Sequence, residues 1–280
     1  MNTTFIDFQR ENEIILEEWK NASLNNENDK DSVFVKDGLM FRGDIYYRND
    51  GIWMRKTSNE SELWNNASPK IMLITKDFND PDGHTSEDEL DLRNETMRNN
   101  FTGEDNVSTS QLRFHKNLMY QFYGLGNYKD GKCPLWDDLK LDICREFYET
   151  YPLVRINVKK QGGKGNVNNS VLVDYIETYK KYLNRQIRLF FDADIIVCYG
   201  RAIFNYVIQE FFPDITQPES DPWVYFSEEQ QKVVINSFHP SFRPKSRSTP
   251  ITDENYYSYP MSEFEQMMLK HKDFAAKYSK

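Results

Sequence analysis

Three cysteines in 280 residues, Cys133, Cys144 and Cys198, are too few and too irregularly spaced to frame a disulfide scaffold, a zinc site or an iron–sulfur cluster. They read as reduced thiols. No apolar run approaches the ~18 residues that a membrane span needs. The opening stretch MNTTFIDFQRENEIILEEWK holds no apolar core followed by small residues. The expectation is a cytoplasmic protein with neither a membrane anchor nor a secretory leader. Positive charge is also short: 35 Lys and Arg face 44 Asp and Glu, a formal net charge of −9. That balance argues against a protein that coats nucleic acid non-specifically, and leaves room for a local basic groove. What is present is core material. The chain is 39% hydrophobic and 15% aromatic, which excludes a disordered chain, and its length fits one large domain or two small ones.

Residues 5–24 have the periodicity of an amphipathic helix, with Phe5, Phe8, Ile14, Ile15, Leu16 and Trp19 crowding one side. Residues 33–56 switch to alternation, with DG and NDG as turn signals, and predict a small antiparallel meander. Beyond it, continuous apolar runs at 70–75, 152–157, 194–200 and 232–238 predict strands buried on both faces. Helices are expected at 111–123, 135–148, 171–191, from 200 to about 212, and 263–278. Between the first strand and the first of these helices lie some 30 polar residues, 79–110, a length that marks a functional or disordered insertion. The whole predicts a three-layer α/β/α fold around a central, mainly parallel four-stranded sheet. The N-terminal helix and meander (1–60) are expected to pack on the α/β domain (61–280).

In an open α/β sheet the ligand crevice lies outside the carboxyl ends of the strands. The four ends read Thr75-Lys76-Asp77-Phe78-Asn79, Asn157-Val158-Lys159-Lys160-Gln161, Gly200-Arg201 and Phe238-His239-Pro240-Ser241. An acid, an Asn, basic residues and a His are thereby expected to converge. In order and spacing these four ends resemble the uracil-DNA glycosylase superfamily over roughly residues 70–245. LITKDFND stands for its first motif, RINVKKQGGKGN for its Asn-bearing strand end, and INSFHPSFR for its late His-Pro-Ser motif. Where the usual first motif has Gly and Pro, this chain has Thr75 and Phe78. KDFND is closer to a branch with a Lys-acid-x-Asn-Asp loop. The cluster cysteines of some branches are absent.

The resemblance implies dissociative cleavage of an N-glycosidic bond, which puts positive charge on the sugar and negative charge on the departing base. A carboxylate under the sugar, Asp77, stabilises the cation and orients a water; Asp80 or Asn79 takes that place if the loop register differs. A donor facing the base oxygen suits His239. Asn157 offers a donor and an acceptor to a pyrimidine edge, and a flipped base needs an aromatic wall, for which Phe114 is the first candidate and Phe78 the second. No metal or other cofactor is implied. The expected partner is DNA, held through Lys159, Lys160 and Lys164 around GGKGN and through Ser241, Arg243, Lys245 and Arg247 after the His-Pro. Two rival readings are a nucleic-acid-binding protein that does not hydrolyse, and an acidic mimic of DNA.

Overall fold

A computed structural model describes residues 6–78, 83–101, 109–163, 168–217, 221–241 and 251–278. The chain opens with α1 (Phe8–Leu24), whose first turn is capped by the Asp7 side chain accepting from the Arg10 N–H. Four short strands follow: β1 (Phe34–Lys36), β2 (Gly38–Leu39), β3 (Ile45–Tyr47) and β4 (Trp53–Arg55). Next come α2 (Glu60–Asn66), β5 (Ile71–Thr75), β6 (Glu89–Asp91), α3 (Arg98–Phe101), α4 (Thr109–Gly126) and α5 (Leu141–Thr150). The remainder runs β7 (Val154–Asn157), α6 (Asn169–Leu189), β8 (Ile195–Tyr199), α7 (Arg201–Phe211), β9 (Val224–Ser227), β10 (Lys232–Ser237), α8 (Asp253–Lys270) and α9 (Lys272–Ala275).

The α/β class expected from the strand–helix alternation is found, with a larger sheet. Its order is β2-β7-β5-β8-β10-β9, so the expected four-stranded sheet is corrected to six. β7, β5, β8 and β10 are the four apolar runs, and they pair in parallel. β2 joins β7 and β9 joins β10, both antiparallel, at the two edges. Strand alternation sends successive side chains to opposite faces. Met72, Ile74, Val154, Ile156, Ile196 and Val234 enter one core cluster with α1, α6 and α7. Ile71, Leu73, Leu153, Ile195, Val197, Val233 and Ile235 enter the other with α4, α5 and α8. Helices thus cover both faces. Among the described residues no helix is long and apolar enough to cross a membrane.

The meander does not form as expected. β3 and β4 make a separate hairpin, β2 is an edge of the main sheet, and β1 pairs in parallel with β6 from the polar 79–110 stretch. That stretch is therefore not structureless. The N-terminal helix is part of the main core: Trp19 is fully buried and packs on Tyr175, Tyr179 and Tyr182 of α6. The last long helix begins at Asp253, ten residues before the expected start, and carries Pro260 inside it.

Candidate active site

Alternation fixes which side chains meet at the carboxyl ends of the strands. Thr75 follows Ile71 and Leu73 on one face. Arg155 and Asn157 follow Leu153 on the same face, and Ser237 follows Val233 and Ile235. These residues point toward α4. Phe114 of α4 lies 5.3 Å from the His239 ring, and the Arg155 guanidinium sits over the Phe114 ring at 5.5 Å. The loop that carries His239 is anchored from two helices. Asn117 of α4 donates to the Pro240 carbonyl at 2.8 Å, and Tyr256 of α8 donates to the Phe238 carbonyl at 2.9 Å.

Ser241 Oγ lies 2.9 Å from His239 Nδ1, and the Ser241 N–H donates to the same nitrogen at 3.4 Å. With Nδ1 accepting, the proton of the neutral ring sits on Nε2, which is left as a donor. Burial, assisted by the Lys76 and Arg155 charges, lowers the His239 pKa to about 4. The ring is neutral at neutral pH. Ser241, expected at a phosphate, lies against the histidine and orients it.

Asp77 follows β5 by two residues. Its Oδ2 is buried without a hydrogen-bond partner among the described residues. Burial raises its pKa, opposed by the Lys159 and Lys76 charges. Lys76 therefore carries a charge that acts on both Asp77 and His239. It also passes the turn between β8 and α7. Gly200 there has φ +126, and a Cβ at that position would lie 3.2 Å from Lys76 Cε. The left-handed backbone favours glycine there.

Asn157 is fully buried. Its N–H donates to Asp37 Oδ2 at 2.8 Å, its carbonyl accepts from Lys160 Nζ at 2.8 Å, and its Oδ1 accepts from the Thr75 hydroxyl. Asn157 Nδ2 has no partner among the described residues.

The basic loop splits. Lys159 is partly buried beside Asp77 and donates to the Gln161 carbonyl at 2.6 Å; burial lowers its pKa while the Asp77 charge raises it. Lys160 corrects the expectation of a phosphate contact. It is fully buried, with its ammonium 2.5 and 2.7 Å from the Asp37 oxygens and 4.9 Å from the Trp19 ring. Phe78, the second candidate for a base wall, packs against the small Val33, Val35 and Leu92 cluster. Lys164, Arg243, Lys245, Arg247, Asn79 and Asp80 lie outside the described residues.

Lys76, Arg155, Asn117 and His115 were not singled out by the sequence reading, although Lys76 and Arg155 stand inside the quoted motifs. His115 is buried on α4 with its pKa also lowered to about 4, by burial and by Arg155 against Glu95. Both rings protonate near 6.5 in the unfolded chain and near 4 in the folded one. Stability present above pH 6.5 is therefore lost as the pH falls toward 4, by roughly 3 kcal/mol per ring. His115→Gln is expected to flatten the pH dependence of thermal unfolding in that window by about one proton; an unchanged slope contradicts the assignment.

No known family model matches the chain, and no curated protein sequence does.

Proposed function

We propose that the protein hydrolyses the N-glycosidic bond of a uracil or modified pyrimidine flipped out of DNA, in the manner of the uracil-DNA glycosylase superfamily. One observation carries this reading. A carboxylate whose buried Oδ2 has no hydrogen-bond partner among the described residues and a neutral histidine stand at the carboxyl ends of parallel strands of one mixed sheet, and the Lys76 charge acts on both.

These are the two groups that dissociative cleavage requires. As the bond to the base lengthens, the sugar becomes cationic and Asp77 stabilises it electrostatically and accepts a proton from the attacking water. The base leaves as an anion, and the His239 Nε2–H supports its oxygen. A neutral donor suits this role, because its proton stays on the ring while charge accumulates opposite it. Arg155 behind Phe114 adds positive potential on the base side. Phe114 supplies an aromatic surface next to His239.

The test is base release from oligonucleotides carrying uracil or modified pyrimidines, read as abasic product after alkaline strand cleavage. Product with the wild-type protein, lost in Asp77→Ala and His239→Ala, is expected. Salt-sensitive oligonucleotide binding with no release from any deaminated or modified base would instead assign the fold to binding without hydrolysis.

A further inference from the structure

Lys159 and Lys160 are neighbours in the loop after β7, and only one of them is spent inside the fold. Lys160 gives its ammonium to both Asp37 oxygens. Lys159 lies along the segment that carries Asp77. Two main-chain bonds prolong the pairing of β5 with β7 past the ends of the strands. The Val158 N–H donates to the Thr75 carbonyl at 2.9 Å, and the Lys159 N–H to the Lys76 carbonyl at 2.8 Å. A third bond, from the Gly163 N–H to the Phe78 carbonyl at 3.2 Å, ties the far end of the loop to the same segment. A Cβ on Gly163 would lie 3.9 Å from Lys159 Nζ and 4.0 Å from Asp77 Oδ2. The amine and the carboxylate oxygen that lacks a partner among the described residues thus border the same space beside Gly163.

A lysine amine is a nucleophile once it is neutral, and burial favours that form. At Lys159 burial outweighs the Asp77 and Asp29 charges and holds the pKa below the ordinary lysine value. Its bond to the Gln161 carbonyl, at 2.6 Å, holds the nitrogen through a hydrogen and leaves the lone pair of the neutral amine unused. Hydrolysis of a glycosidic bond leaves C1′ as a hemiacetal that opens to an aldehyde, the group with which such an amine condenses. We propose that Lys159 gives this site a second activity: it forms an imine with C1′ of an abasic deoxyribose in DNA and cuts the strand by β-elimination. The Nζ lone pair attacks C1′. The aldehyde oxygen leaves as water, with one proton from the amine and one from solvent, and an iminium joins Nζ to C1′. Asp77 takes the proton from C2′. The electron pair of that C–H bond forms the C2′–C3′ double bond, and the C3′–O bond breaks with its pair going to the departing phosphate. Water then hydrolyses the iminium, which frees Lys159 and leaves an unsaturated aldehyde. Nothing is oxidised or reduced. The place of the sugar beside Asp77 rests on the glycosidic reading above; the place of the amine rests on the loop bonds and Gly163.

The experiment starts from an oligonucleotide whose abasic site is made by acid depurination, so it does not depend on base release. Borohydride reduces the iminium to a stable secondary amine. The wild-type protein is expected to cut the strand at the abasic site. With borohydride present it should instead yield a covalent protein–DNA species, whose adduct mass spectrometry maps to Lys159. Lys159→Arg keeps the charge beside Asp77 and offers no amine that forms the imine, so it should lose both the cut and the cross-link. Lys159→Met serves if the arginine variant does not fold, which circular dichroism reports. A folded variant that cross-links as well as wild type, or an adduct mapped to another lysine or to the N-terminal amine, overturns the proposal. So does the absence of any adduct, and base release from a uracil-containing oligonucleotide, measured alongside, then shows that the glycosidic reading stands without it. Cross-linking at Lys159 by a protein that releases no base keeps the second activity and overturns the glycosidic reading.

Discussion

Asp77→Asn is expected to slow base release by about 10²–10³-fold, the effect of removing one preorganised charge from a site that stabilises a developing charge. The substitution preserves shape, removes the charge and replaces one acceptor oxygen by an NH2 donor, so packing does not account for a loss of that size. Single-turnover rates on a uracil-containing oligonucleotide read it directly. The pH profile gives an independent check. Activity requires Asp77 ionised, and burial holds its pKa above the ordinary 3.8 while Lys159 and Lys76 pull it back. The rate therefore falls as the pH drops through that raised value. Lys159→Met removes a charge that favours the carboxylate, so the acid limb should move to higher pH. An Asp77→Asn variant with wild-type rates, or an acid limb that does not respond to Lys159, would remove Asp77 from the chemistry.

The parts of the site that were legible in the sequence are those carried by strands buried on both faces. KIMLIT, PLVRIN, DIIVCYG and KVVINSF are continuous apolar runs, and their ends deliver Asp77, Asn157, Gly200 and His239 to one end of the sheet. The edges were not legible. β2 is two residues long, and β9 lies among turn residues and leaves part of its surface accessible, so neither has a strong period to find. β1 pairs with β6, more than fifty positions away, and no local pattern encodes that partner. In α8, Pro260 concealed a helix whose capping signal, Thr252 accepting from the Asn255 N–H, stands eleven residues upstream of the expected start.

The same distinction separates Lys159 from Lys160. Locally, VKKQGG is a basic, glycine-containing loop in which adjacent lysines look equivalent. One donates to the Gln161 carbonyl and acts on the acid of the site through its charge. The other turns inward to an aspartate 123 positions away, itself part of a DG pair that reads as a turn. Charge composition cannot predict that a cation is consumed inside the fold, because the decision is made by a long-range partner. Among the described residues, Lys160 of the loop after β7 holds Asn157 rather than a phosphate, and Lys159 tunes Asp77.

That internal pair sets the second large expectation. Asp37→Ala should lower stability by about 3–5 kcal/mol, the cost of leaving one member of a buried ion pair without its partner, or roughly 2 °C in Tm per kcal/mol for a chain of this size. Both side chains are fully buried, so solvent cannot replace the lost contact. Burial already lowers the Lys160 pKa against the Asp37 charge. Without that charge, the folded protein favours neutral Lys160, while the unfolded chain keeps the proton up to about 10.4. The folded state then binds fewer protons than the unfolded state, so the deficit of Asp37→Ala should shrink as the pH rises from neutral toward that value. The double variant Asp37→Ala/Lys160→Met leaves no stranded charge and should be more stable than Asp37→Ala alone. Chemical denaturation at two pH values separates these outcomes: a variant as stable as wild type, or a deficit that does not respond to pH, would mean that the pair is not what holds this part of the fold. Since both of its members grip the main chain of Asn157, a loss of this kind also releases the end of β7, and the N-terminal segment that supplies Asp37 is thereby built into the site.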